Sequence, residues 1–166
     1  MADAIVRAHP AEAWSIVSQL LESDEAESIA AWLGDELGWD RGQAGPIKYF
    51  DPEPVMAWVL PNPATRARKL RRCLPKTLDE QDGGRLTRLF LEAFGDDEEL
   101  SDALIDNVLT GSWMGHESAH RAAQRAKAQQ WVSENRSWKV LSWLYRYIAV
   151  LNHEIEAAEL REEREF

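Results

Sequence analysis

Residues 137–164 read SWKVLSWLYRYIAVLNHEIEAAELREER, and the spacing of their apolar residues decides the fold class. Leu141, Leu144, Ile148, Leu151 and Ile155 recur at alternating three- and four-residue intervals, which lays one apolar stripe along a single long helix. Upstream, a second helix spans roughly 117–132 and ends at the polar stretch Ser133-Glu134-Asn135. A connection that short folds the two helices back on each other as a hairpin.

The same arrangement recurs towards the N-terminus. Asp51-Pro52 is a cap followed by a first-turn proline, and Val55 to Leu60 read as helix. Pro61-Asn62-Pro63 makes a tight connection to a helix over about 64–74. After Pro75, Thr77 to Glu80 cap one short turn, and Gly83-Gly84 break the chain. A helix over about 85–94 ends at Gly95, and Asp96-Asp97 cap the next, which carries Leu100, Leu104, Ile105 and Val108 and stops near Gly111. The hairpins start near 52, 85 and 117, a period of about 33 residues that falls in the range of helical solenoid repeats.

Residues 10–37 read as a further helical pair. Pro10 suits a first helical position, and Trp14, Ile16, Val17, Leu20 and Leu21 follow at helical spacing. Asp24 with Glu27 forms a capping box that restarts the chain before Ile29, Trp32, Leu33 and Leu37. Residues 38–51 are a loop punctuated by Gly38, Gly42, Gly45 and Pro46. No stretch reads as a strand. The expected architecture is therefore all-α, with an N-terminal pair and loop (1–45) packed on three hairpins (46–166). That second part is either HEAT-like and solenoid-like or an irregular helical bundle.

Composition narrows the function. The chain has 166 residues, 45% of them hydrophobic, with eight Trp, enough for one well-filled core. Its net charge of −10 disfavours direct nucleic-acid binding and anionic membrane surfaces, and favours a basic or neutral protein partner. The lone Cys73 allows no internal disulfide and suits a reducing, cytoplasmic setting. Met1-Ala2-Asp3-Ala4 opens no signal peptide, and no apolar run reaches the ~20 residues of a membrane span.

One string carries the chemistry of a named reaction. His116-Glu117-Ser118-Ala119-His120 matches the H-E-x-x-H of zinc metallopeptidases, in which two histidines one turn apart share a metal and the Glu serves as general base. Its surroundings argue against that use. Gly111 and Gly115 put the string at a helix start, Arg121 follows the second His, and no G-x-x-H continuation supplies a third ligand. Glu154 or Glu159 on the last helix would have to complete the site, with His153 nearby. A di-metal carboxylate bundle would need a second Glu-x-x-His, and Val150 stands three residues before His153. The favoured reading places His116 and Glu117 in a first turn and His120 in a half-buried contact with the last helix, with no cofactor. A zinc-dependent hydrolase is the alternative.

The remaining candidates are binding residues. Arg66, Arg68, Lys69, Arg71 and Arg72 line a helix, where they either meet an acidic partner or form a solvated face answering Asp79, Glu80 and Asp82. Trp113, Trp131, Trp138, Trp143, Tyr145 and Tyr147 concentrate aromatics in the last third. Trp143 and Tyr147, four apart and off the aliphatic stripe, are expected to be an exposed pair. Trp143, Tyr147, Trp113, Arg68 and Arg72 are the predicted contact residues. Cys73, without a partnered His, is expected to be a buried, inert thiol.

The stretches Leu86 to Phe94, Thr110 to Ser118 with its Gly-Ser-Trp-x-Gly-x-x-Ser string, Trp143-Leu144, Tyr147-Ile148 and Ile155 to Arg164 together resemble a C-terminal HEAT-like segment of large bacterial multidomain proteins. Some of those carry nucleotide-binding switch domains of antiviral-defence type. The resemblance runs from about residue 49 to the C-terminus. It implies a non-enzymatic adaptor module that senses another protein or packs against a switch domain. An acidic inhibitor that mimics nucleic acid is a further alternative on charge alone.

Overall fold

In the computed structural model, residues 8–22, 52–73, 78, 84–109 and 114–164 are described, and they are helical with no strand. The elements are α1 (Pro10–Leu21), α2 (Pro52–Val59), α3 (Pro63–Cys73), α4 (Gly84–Phe94), α5 (Glu98–Leu109), α6 (Glu117–Glu134) and α7 (Trp138–Glu162). The helix starts follow their local chemistry. Pro10 occupies the first turn of α1. The Asn62 side chain accepts from the Ala64 N–H at 3.1 Å ahead of Pro63, and Asp97 Oδ1 accepts from the Leu100 N–H at 3.0 Å. The helix expected over 24–37, the loop at 38–51 and Cys73's side chain lie outside the described residues, as does the turn at 77–80 apart from buried Leu78.

Helix ends share one device. No basic residue stands in the last turn of α2, α4, α5 or α6, although cations are favoured there. Neighbouring helices supply the missing donors. Arg66 Nε and Lys69 Nζ of α3 donate to the carbonyls of Leu60 and Trp58 at the end of α2. Lys139 of α7 reaches Ala93 O of α4 at 3.1 Å. Arg121 and Gln124 of α6 reach Leu109 O and Val108 O of α5 at 2.8 and 3.2 Å. The carbonyls that a helix leaves unpaired at its end are thus met by tertiary contacts. The α6 end is closed locally, where Asn135 Nδ2 donates to Trp131 O at 2.7 Å.

Packing is regular for two hairpins and then changes. The first helix α2 lies on α4 and the second helix α3 on α5, like on like, as in stacked repeats. The third hairpin breaks this order, because its second helix α7 packs on the first helix α4 while α6 lies along α7. The result is an irregular helical bundle. Its centre holds Trp131, Trp143, Tyr147, Phe90, Leu91, Leu104, Leu144 and Leu151, all fully buried. Trp14 meets Trp58 edge-on at 5.8 Å, which joins α1 to α2. On α1 the buried residues are Trp14, Val17 and Leu21, whereas Ile16 is exposed.

On α7 the buried stripe is Val140, Trp143, Leu144, Tyr147, Leu151, Ile155 and Ala158. Leu141 and Ile148, expected on the core face, sit half-buried at its margin. The stripe is rotated towards the aromatics because Tyr147 stands three after Leu144 and four before Leu151, in phase with both.

Candidate functional site

The H-E-x-x-H string straddles the start of α6. His116 is the residue before the helix, with extended backbone (φ −70°, ψ 134°), so it and His120 do not share a helical face. Glu117 is held by two guanidiniums, Arg121 at 3.3 Å and Arg161 at 3.0 Å. Glu162, from the far end of α7, caps the helix start: the Ser118 N–H and hydroxyl donate to its two oxygens at 3.1 and 2.7 Å. Those bonds hold the Glu162 carboxyl below its ordinary pKa. His116 Nδ1 lies 3.6 Å from the same carboxylate. His120 is half-buried, and burial, with Arg121 adding to it, lowers its imidazole pKa. Among the described residues, no group of three His, Cys, Asp or Glu is placed to hold a metal ion, so Glu154 and Glu159 do not complete a site with the two histidines. The arrangement joins the two ends of the α6–α7 hairpin through charge and capping.

The expected exposed aromatic pair is corrected. Trp143 and Tyr147 are both fully buried and stack on each other at 4.9 Å with 23° between rings. Burial pushes the Tyr147 phenol pKa well up. They lie on the α7 face that meets α4 and α5, and offer no surface to a partner. Trp113 and the side chain of Arg72 lie outside the described residues, and Arg68 is exposed on α3. The basic stretch is not a wholly solvated face either. Lys69 is 6% exposed, pairs with Glu22 and sits 4.4 Å over the Trp58 ring, while Arg66 is half-buried at the end of α2.

Among the described residues, the exposed aromatics are Trp138 (64% exposed) and Tyr145 (60%). They stand one heptad apart on the outer side of α7, with Ser142 and Ala149 four residues beyond each. The sequence carries this signal: both residues fall about 100–140° round the helix from Leu144 and Leu151, off the apolar stripe. Beside them runs a row of paired charges, Lys139 with Asp96 at 3.1 Å and Arg146 with Asp102. Beyond that row, α5 presents Glu98, Glu99 and Asp106 to solvent.

No protein-family model, curated protein or solved structure matches this chain. No helix among the described residues is long and apolar enough to cross a membrane.

Proposed function

We propose that this chain is a non-enzymatic adaptor that contacts another protein through the outer face of α7. The carrying observation is the exposure of Trp138 and Tyr145 on one side of a helix whose other side is fully packed. Large, stiff aromatics bury much area at little entropic cost, and they are the side chains on which binding energy concentrates. Single exposed apolar residues are ordinary on protein surfaces, but two large rings in register on one helix face are an anchor pair. The resemblance of residues 49–166 to C-terminal segments of large bacterial proteins supplies the setting: a cytoplasmic assembly of antiviral-defence type, with a larger multidomain protein as partner.

The test is partner capture from a bacterial extract with wild-type protein and with the Trp138→Ser/Tyr145→Ser variant. The adaptor reading expects a specific, saturable partner for the wild type. Its rival is tested on the purified, untagged protein. Near-stoichiometric zinc that disappears in His120→Ala would replace the adaptor with a hydrolase.

A further inference from the structure

Resting on that adaptor reading, we propose that the partner presents a basic segment, with Lys or Arg beside one or two apolar side chains, to a composite face made by α7 and α5. The apolar half is Trp138 and Tyr145. The charged half is Glu98, Glu99 and Asp106, all exposed and none in an ion pair among the described residues.

The two halves are held in register by the ion pairs between them. Arg146, next to Tyr145, binds Asp102, and Lys139, next to Trp138, binds Asp96. These two cations of α7 are therefore already neutralised, by Asp96 in the turn before α5 and by Asp102 of α5. Glu98 and Glu99 lie one turn before Asp102, and Asp106 lies one turn after it, which places them on the same outer ridge of α5. The face is thus a pair of rings flanked by uncompensated negative charge. An acidic partner would meet repulsion there, and a purely apolar one would leave the carboxylates without counter-charge. A segment that combines cations with an apolar side chain meets both halves, because long basic stems also pack along aromatic rings.

The probe is a fluorescein-labelled synthetic 18-residue helical peptide of Lys and Leu, with a Glu/Leu peptide of the same pattern as comparison, followed by anisotropy at low and physiological salt. The Lys peptide binds and the Glu peptide does not. Trp138→Ser/Tyr145→Ser weakens binding by about tenfold or more at both salt concentrations. Glu98→Gln/Glu99→Gln/Asp106→Asn weakens it by about tenfold at low salt and flattens the salt dependence. A charge-matched control on other surfaces, Glu12→Gln/Glu92→Gln/Glu163→Gln, stays within about twofold, as expected for screened, distant charges. The substituted residues are exposed, and unchanged circular dichroism and Tm confirm that each variant is folded.

The proposal is overturned if the wild type does not bind the Lys peptide, or if the control triple weakens binding as much as the α5 triple. It is equally overturned if the aromatic variant binds like wild type. Its failure is separable from that of the adaptor reading. A natural partner captured equally by wild type and by Trp138→Ser/Tyr145→Ser removes this face from both readings and leaves an adaptor that binds through another surface. A chain that takes no partner in either form removes both.

Discussion

The indole N–H of Trp143 donates to the backbone carbonyl of Ser101 at 3.1 Å, in the fully buried seam between α7 and α5. The Ser101 hydroxyl in turn donates to Gly95 O at 3.1 Å, at the end of α4. Trp143 and Ser101 together therefore tie the last helix to both helices of the preceding hairpin. Trp143→Phe keeps most of the ring and loses the donor, which costs about 1–2 kcal/mol. Trp143→Ala also empties one of the two largest side-chain volumes in the core and costs about 3–5 kcal/mol. Urea unfolding checks this as a fall in midpoint with unchanged slope. A near-neutral Trp143→Ala would contradict the burial.

Gly95 is required by close approach. A Cβ there would lie 2.4 Å from Lys139 O and 2.6 Å from Leu91 O, both backbone atoms that cannot swing aside. Gly95→Ala must push the first turn of α7 away from α4, at a cost of about 1–3 kcal/mol. Gly115 offers a contrast, with φ +90° and nothing within 4 Å of the position a Cβ would take. Gly115→Ala strains only the local backbone, at about 1 kcal/mol. Thermal unfolding should rank Gly95→Ala as the more damaging, and the reverse order would contradict the helix contact.

The tertiary capping of helix ends predicts a second asymmetry. Arg121 is 5% exposed and holds Leu109 O, Gln124 and Glu117 together. Arg121→Met keeps the stem and removes the fork, leaving Glu117 with Arg161 alone and the α5 end without its cation. The expected loss is about 2–4 kcal/mol. Arg68→Met, on an exposed position of the neighbouring basic helix, changes stability by less than about 0.5 kcal/mol. Hydrogen exchange should show the last turn of α5 opening in Arg121→Met and unchanged in Arg68→Met.

Acid sensitivity follows from four groups that shift the same way. The Glu162 carboxyl is lowered by its bonds from Ser118, Asp96 by Lys139, and Glu22 by Lys69. A carboxyl depressed in the folded state binds fewer protons there than in the unfolded chain. Its stabilisation is present above the ordinary values of 4.5 for Glu and 3.8 for Asp, and is lost as pH falls through the depressed ones. His120 is lowered by burial, so the folded state prefers the neutral imidazole. Its contribution is present above the ordinary 6.5 and declines as pH falls below it. Stability therefore drops in two stages on acidification. Glu162→Gln should flatten the lower stage and His120→Gln the upper one, read as the pH dependence of the urea midpoint.

Several helix boundaries were legible in sequence because local chemistry sets them. Pro52, Asn62-Pro63, Asp97 and Asn135 all act where they stand. The rotation of α7 was harder to read. Leu141 and Ile148 fit a heptad as well as Val140 and Tyr147 do, and only packing against α4 and α5 chooses between faces 40–60° apart on a helix of about 100° per residue. That same rotation decided which aromatics are core and which are surface. The helix-end cations were unreadable from local sequence, since Arg66, Lys69, Arg121 and Lys139 cap other helices than their own. The H-E-x-x-H string departs from a mid-helix ligand pair for a local reason: His116 is the residue before the helix, and although its carbonyl accepts the His120 N–H at 3.2 Å, its own backbone is extended rather than helical.

Tyr147 yields the sharpest test of the core assignment. Its ring is fully buried against Trp143, yet its hydroxyl has no hydrogen-bond partner among the described residues. Burying a hydroxyl without a partner costs about 1–3 kcal/mol, and Phe fills the same space without that group. Tyr147→Phe should therefore be neutral or stabilising by up to about 1 kcal/mol, a rare sign for a core substitution. Tyr147→Ala, which removes the ring as well, should cost about 3–5 kcal/mol. The outer-face counterpart Tyr145→Phe should leave stability within about 0.5 kcal/mol, as expected for an exposed position. Parallel urea titrations of the three variants decide the matter. If Tyr147→Phe loses more than about 1 kcal/mol, the hydroxyl is bonded in solution and the packing around it is tighter and more polar than the structure places it.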